Sequence, residues 1–389
     1  MLNIVQGMPG YFFTVGVPAM LRDSGASLAT VSLAYVIWIP WALKWLWAPY
    51  FDNPAAAPFH SRVAWLRALP IMMAAVFLLV AFFPPGSQQW PLIAISLLSA
   101  TVGATLQVVL AAWLIENSST KERALANAAQ VAGVTLGGVF GGGLILTLGD
   151  RYGWVGAIAV VSAIIAGLSF STWFEKPATT AGSFARKARD GAWAAWKGLF
   201  VRPGFGRLLL LIVLAGGAAG ADALLPAIMI DRGFTASEVG WIISTLGLGS
   251  ILPASLLAGW LVRQKGAFVA IACLYALKGL TLAALALSGA LPPVGVAGLV
   301  VLDCALSGAL MVATYQLYMG FADVEHAATD YGLMTSLEAA FRLVGGLIAG
   351  QAGDALGYPT IFAGSALAAA LAVLCALAFR PQLRPNEAT

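Results

Sequence analysis

Residues 328–358 read ATDYGLMTSLEAAFRLVGGLIAGQAGDALGY, and this stretch decides the fold. From Ala328 to Gly353 it is apolar enough to cross a bilayer, yet it carries Glu338 and Arg342. Four residues apart, they share one helix face at a separation of about 6 Å. A charged side chain at mid-membrane costs about 2.5–3.5 kcal/mol even on the lenient insertion scale. A chain accepts that cost where the charge faces a partner helix or a watery cavity. The helix therefore lines or braces a polar pathway, and the rest of the chain forms the wall around it.

The whole composition agrees. Of 389 residues, 60% are hydrophobic and 10% charged, with a mean hydropathy of +0.87. Soluble domains carry about 25% charged residues, so the chain is a polytopic membrane protein. Cys273, Cys304 and Cys375 lie in apolar segments without metal-type spacing, and His60 and His326 are isolated loop residues. No metal centre and no other cofactor is expected. No GxxxxGK[ST] motif points to ATP hydrolysis, no nucleophile–base pair points to an enzyme, and no nucleic-acid partner is expected. Residues 1–6 lack a signal-peptide pattern. The first span begins almost at Met1 without a basic flank, which leaves open a natural start further upstream.

Hydropathy gives twelve spans near the length that a bilayer requires: 3–21, 28–49, 63–83, 91–114, 125–148, 155–174, 207–229, 238–261, 267–289, 293–319, 329–352 and 359–379. Runs this long can only be helices, so the fold class is an all-α membrane protein. Basic residues orient it. With a cytoplasmic N-terminus, fifteen of the 21 Lys and Arg residues, from Arg62 to Arg384, fall in inner loops and span ends. Only Arg22, Arg151 and Arg232 fall outside, each beside an aspartate (Asp23, Asp150, Asp231), and Lys44, Lys278 and Arg342 are intramembrane. The positive-inside rule places both termini in the cytoplasm.

The longest polar interruption, 175–206, is rich in Lys and Arg. Trp193, Trp196 and Phe200 follow helical spacing there, as in an interfacial helix on anionic lipid; a solvated linker is the alternative. It divides two similar halves, a bundle over 1–174 and a bundle over 207–389. Pro18-Ala19-Met20 followed by RDSGAS is echoed by Pro226-Ala227-Ile228-Met229 followed by IDRGFTAS. GDRYGW (149–154) is echoed by GDALGY (353–358). Gly133, Gly137 and Gly141 recur every four residues, as do Gly346 and Gly350, a spacing that lets helices approach closely. Six spans repeated twice place a transporter's site at the interface of the halves.

The segments LKWLWAPYFD (43–52), GFTASEVG (233–240) and ATDYGLMTSL (328–337) together resemble the major facilitator superfamily. More narrowly, they are similar to the branch of muropeptide permeases (AmpG-type) and siderophore importers (RhtX/FptX-type). The resemblance implies two six-helix bundles, alternating access, and proton-driven import across the bacterial inner membrane by a monomer. Thr235 and Glu238 also form a capping-box pattern opening span eight. The sequence departs from the muropeptide permeases in span four, where LQVVLAAW (106–113) puts Gln107 and Ala111 where they carry aspartates. It also lacks their extra C-terminal spans, and Asp330-Tyr331 replaces their Gln-Tyr or Gln-Phe. The last two departures tilt the expectation toward a siderophore or its ferric chelate, with a muropeptide as the alternative, and the span-four departure permits a non-transporting sensor or partner protein as a third reading.

Six ionisable residues lie within spans: Lys44, Asp222, Lys278, Asp303, Glu338 and Arg342. Glu338 and Arg342 either form a fixed intrahelical pair or serve separate roles. Arg342 matches an arginine in the family pattern and suits a ligand carboxylate, since a guanidinium keeps its charge. The resemblance puts spans one, four, seven and ten at the cavity, so Asp222 and Asp303 lead as proton carriers, with Glu338 behind them. At 1.5 Å per residue, Asp303 is about 15 Å into span ten from the outside and Asp222 about 22 Å along span seven from the inside, nearer the outer mouth. Asp303 could instead pair structurally with Lys278. Lys44, with Asp52 in the same motif, is a gating contact or a snorkelling anchor. Gln6, Tyr11, Gln107, Gln130, Tyr315 and Gln316 are polar groups on central helices. They suit an amphipathic ligand or simply bond helix to helix.

Overall fold

The computed structural model describes residues 1–47, 62–84, 89–117, 133–174, 199–321 and 327–378, and these contain no strand. Eight helices are separate: α1 (Leu2–Asp23), α2 (Leu28–Leu46), α3 (Val63–Phe82), α4 (Trp90–Leu110), α7 (Phe205–Asp231), α8 (Ala236–Lys265), α9 (Ala267–Ala286) and α10 (Pro293–Tyr318). The other four come as two broken pairs. Helices α5 (133–152) and α6 (154–174) are divided at Gly153, with φ 73° and ψ 167°. Helices α11 (327–356) and α12 (358–378) are divided at Gly357, with φ 75° and ψ 166°. Within the described residues the twelve segments fall on the twelve expected spans, residues 125–132 of the fifth lying outside them. Leu252, Leu256, Leu280 and Leu374 are exposed on the outside of the bundle, as lipid contact requires.

The internal repeat is visible in backbone geometry. Gly153 and Gly357 are the same position of the GDRYGW and GDALGY segments, and both adopt a positive φ that a Cβ would strain. Gly25 (φ 85°) and Gly233 (φ 92°) turn the chain from α1 to α2 and from α7 to α8. Ser27 then caps α2 through the Thr30 amide. Thr235 caps α8 with the full reciprocal box to Glu238. Pro18 and Pro226 each deny a hydrogen bond to the carbonyl four residues earlier, at Thr14 and Asp222. The backbone departs from α-geometry at both places, as a π-turn over Phe12–Gly16 and a 3₁₀ turn over Ala221–Leu224.

Glycines set the helix contacts. A Cβ at Gly133, Gly137 or Gly141 would press on Asn3, on Ile4 and Gly7, or on Met8, so that ladder is where α5 lies against α1. On the adjoining face, Gly138 meets Leu248 and Gly142 meets Ser244, both of α8. Gly346 and Gly350 of α11 meet Tyr35 and Ser32 of α2. The first six helices therefore touch the last six along α5–α8 and α2–α11, a pair of equivalent contacts. Asp354 adds a polar tie, accepting from the amides of Leu28 (2.6 Å) and Ala29 (2.9 Å) at the start of α2.

The described residues leave out 175–198, so Trp193 and Trp196 of the expected interfacial helix lie outside them, as do Asp52 and Gln130.

Candidate functional site

The 3₁₀ turn before Pro226 delivers Asp222 into the interior of α7–α12. There the Lys278 ammonium of α9 donates to Asp222 Oδ1 at 3.0 Å, to Asp303 Oδ1 at 2.8 Å and Oδ2 at 2.9 Å, and to Ser307 Oγ at 2.9 Å. An ammonium has three N–H donors, and three residues use them. Asp303 and Lys278 are almost fully buried, at 1% and 2% exposure, while Asp222 keeps 11%. The second oxygen of Asp222 lies 3.5 Å from Arg342 Nη1. Arg342 also stands over the Trp38 ring of α2, 5.6 Å from its centroid. Asp222 is thus held between two cations, and one of those reaches the other half of the molecule.

A small cavity of about 20 Å³ opens beside this cluster, lined by Tyr275, Lys278, Ser307, Thr314, Glu338 and Arg342 among others. That is room for one water, far below the 300 Å³ or more of a typical ligand site. The space is collapsed onto its own charges.

Several expectations are corrected by this geometry. Glu338 and Arg342 do not form an intrahelical ion pair; the guanidinium pairs with Asp222 instead. Asp222 and Asp303 do not sit at successive depths, since both bind one ammonium; α7 runs on to Asp231, which puts Asp222 about 14 Å from that outer end, level with Asp303. The Lys278–Asp303 pair does form, as the alternative reading of Asp303 had it. Gln316 is exposed and off the cavity-facing row of α10, whereas Tyr315 is half-buried with its ring 6.0 Å from that of Tyr318. Tyr11 packs among the α1 and α5 contacts, beside Gly138. Lys44 and Gln107, considered separately, are partners, the ammonium donating to Oε1 at 2.9 Å. Gln6 is buried with its carbonyl oxygen unbonded.

Trp38, Ser307 and Tyr318 were not singled out in the sequence. Trp38 lies in the middle of the span expected over 28–49, and its contact with Arg342 shows only when α11 is laid against α2. The i, i+4 relation of Ser307 to Asp303 was the available signal for that residue.

The model of the Major Facilitator Superfamily matches residues 1–346. The chain belongs to this superfamily and is a multi-pass membrane transporter. The Anhydromuropeptide permease of Escherichia coli (strain K12) is 27% identical over 98% of this chain and 79% of its own length. The Putative transporter AmpG 4 of Rickettsia conorii is 24% identical over 93% of this chain and 90% of its own. Among solved structures, a POT family transporter in complex with a thioalcohol-conjugated peptide superposes with a TM-score of 0.74 at 11% identity, covering 98% of this chain and 96% of its own. The nucleoside transporter NupG (D323A mutant) gives 0.71 at 12%, over 97% and 98%. These last two are likenesses of fold. The relatives favour the muropeptide alternative over siderophore import.

Proposed function

We propose that the chain is a proton-coupled importer of an anhydromuropeptide-class ligand in the bacterial inner membrane, working by alternating access between bundles at 1–174 and 207–389. Both termini and the linker lie in the cytoplasm in this reading, on the fifteen-to-three distribution of basic residues. The ligand class rests on likeness to the permease of Escherichia coli along nearly the whole chain. The observation that carries the transport mechanism is Asp222 held between Lys278 and Arg342. A ligand carboxylate arriving at the Arg342 guanidinium competes with Asp222 for it, so ligand and acid are linked through one side chain.

Arg342 is the anion anchor, with the Trp38 ring beside it offering an apolar face to a sugar. Tyr11, Gln107, Gln130 and Tyr315 are the remaining candidates for ligand contact, and Asp222, Asp303 and Glu338 for coupling. Lys44 and Asp52 are candidates for the gate near the inner end of α2. Uptake of labelled anhydromuropeptide by proteoliposomes with and without a proton gradient tests this reading. Gradient-dependent accumulation supports it. Uptake of a ferric siderophore instead would restore the other branch, and movement of neither would favour a non-transporting sensor.

A further inference from the structure

Three carboxylates and two cations share the interior of α7–α12, and the hydrogen bonds say which acid is surplus. Asp303 and Asp222 both accept from Lys278, and Asp222 also faces Arg342. Those four groups form a neutral set with every Lys278 donor used. Glu338 is outside it. Its Oε2 is buried without a hydrogen bond. Of the cations around it, Arg342 is ion-paired with Asp222, and the Lys44 ammonium hydrogen-bonds Gln107 and not the carboxylate. A carboxylate oxygen buried without a hydrogen bond is costly when charged, and a bound proton removes that cost. The Tyr318 hydroxyl of α10, also buried and unbonded, stands against Glu338, and Tyr275 of α9 lies on the same side. The water-sized cavity joins Glu338 to the Lys278 cluster.

We propose that Glu338 is the proton-binding residue of the transport cycle, with Tyr318 the donor that receives its carboxylate when the proton leaves. This deepens the coupling reading above and rests on it. The neutral acid lets the site collapse as seen here. Loss of its proton to water leaves a carboxylate that accepts a hydrogen bond from the Tyr318 hydroxyl and is drawn to Arg342 or Lys44. Either attraction loosens an existing pair, Arg342 from Asp222 or Lys44 from Gln107. The Asp222–Lys278–Asp303 set stands beside Glu338 as an ion-paired cluster.

Infrared spectroscopy of the purified protein in lipid tests this without any ligand. Wild type should show the carbonyl stretch of a protonated carboxylic acid near neutral pH. Glu338→Gln should lack it, and Tyr318→Phe should keep it but release the proton only at higher pH. In proteoliposomes, Glu338→Gln should lose accumulation of labelled anhydromuropeptide, down from the roughly forty-fold that 100 mV can sustain per net charge. Absence of the band in wild type, or its survival in Glu338→Gln, overturns the assignment. If wild type moves no anhydromuropeptide, the ligand reading fails while the spectrum still decides the proton site.

Discussion

Arg22 and Asp231, 209 residues apart, close one end of the molecule through two hydrogen bonds, Nε to Oδ1 at 2.8 Å and Nη2 to Oδ2 at 2.6 Å. Tyr358 donates to the same carboxylate at 2.7 Å. In the sequence each arginine of this end stood beside its own aspartate; in the fold Arg22 crosses to Asp231 and Arg232 donates to Ser288. The pair is about a quarter exposed, and a bidentate ion pair there contributes about 1 kcal/mol. Asp231→Asn should therefore favour opening of this end by about five-fold. The readout is the labelling rate of a cysteine placed at Ala34, in a background without native cysteines. An unchanged rate would mean the pair does not hold the end shut.

Lys278 should be among the least replaceable residues. Lys278→Met strands Asp303 and Asp222, and breaking a buried pair in this way costs about 3–5 kcal/mol. Lys278→Met combined with Asp303→Leu should recover part of that loss, because the stranded charge is gone. A double-mutant cycle on thermal stability in detergent measures it, and strict additivity would show that the two side chains do not interact.

The glycine ladder gives a packing prediction. Gly137→Leu drives a side chain into the α1 backbone at Ile4, Gly7 and Met8, where no flexible atom can give way. Overpacking of this kind costs about 1–3 kcal/mol or more, whereas Leu144→Val should cost under about 1.5 kcal/mol. Equal yields of folded protein from the two variants would be incompatible with the α1–α5 contact.

Much of this was legible because it is local or repeated. The GDRYGW and GDALGY segments announced the breaks at Gly153 and Gly357, and T-x-x-E announced the cap of α8. Charged residues inside apolar runs named Asp222, Lys278, Asp303 and Arg342 as members of a buried set. What the sequence could not supply was pairing between helices. The i, i+4 spacing suggested Glu338 with Arg342, but a three-dimensional competitor, Asp222, takes the guanidinium. Depth failed because it was counted from the inner end of α7, whose 27 residues outrun the bilayer; counted from Asp231, Asp222 is as deep as Asp303. The ligand expectation leaned on local departures such as Asp330-Tyr331, outweighed by similarity along the whole chain.

Topology is testable independently. Ser24→Cys should react with an impermeant thiol reagent in intact cells and Ser183→Cys should not, both in a background without native cysteines. The reverse pattern would invert the orientation and place the Arg22–Asp231 closure on the cytoplasmic side.

Arg342 links the two halves through Trp38 and meets Asp222, so its loss should look different from loss of coupling. Arg342→Ala should weaken ligand binding ten-fold or more, about 1.4 kcal/mol, in gradient-driven uptake and in exchange alike. The most direct measurement is uptake and exchange of labelled anhydromuropeptide by wild type, Arg342→Ala and Glu338→Gln in the same proteoliposomes. A proton-coupled importer built on these residues predicts accumulation by wild type alone, exchange retained in Glu338→Gln, and both impaired in Arg342→Ala. Accumulation that persists in both variants, or that ignores the proton gradient in wild type, would contradict it.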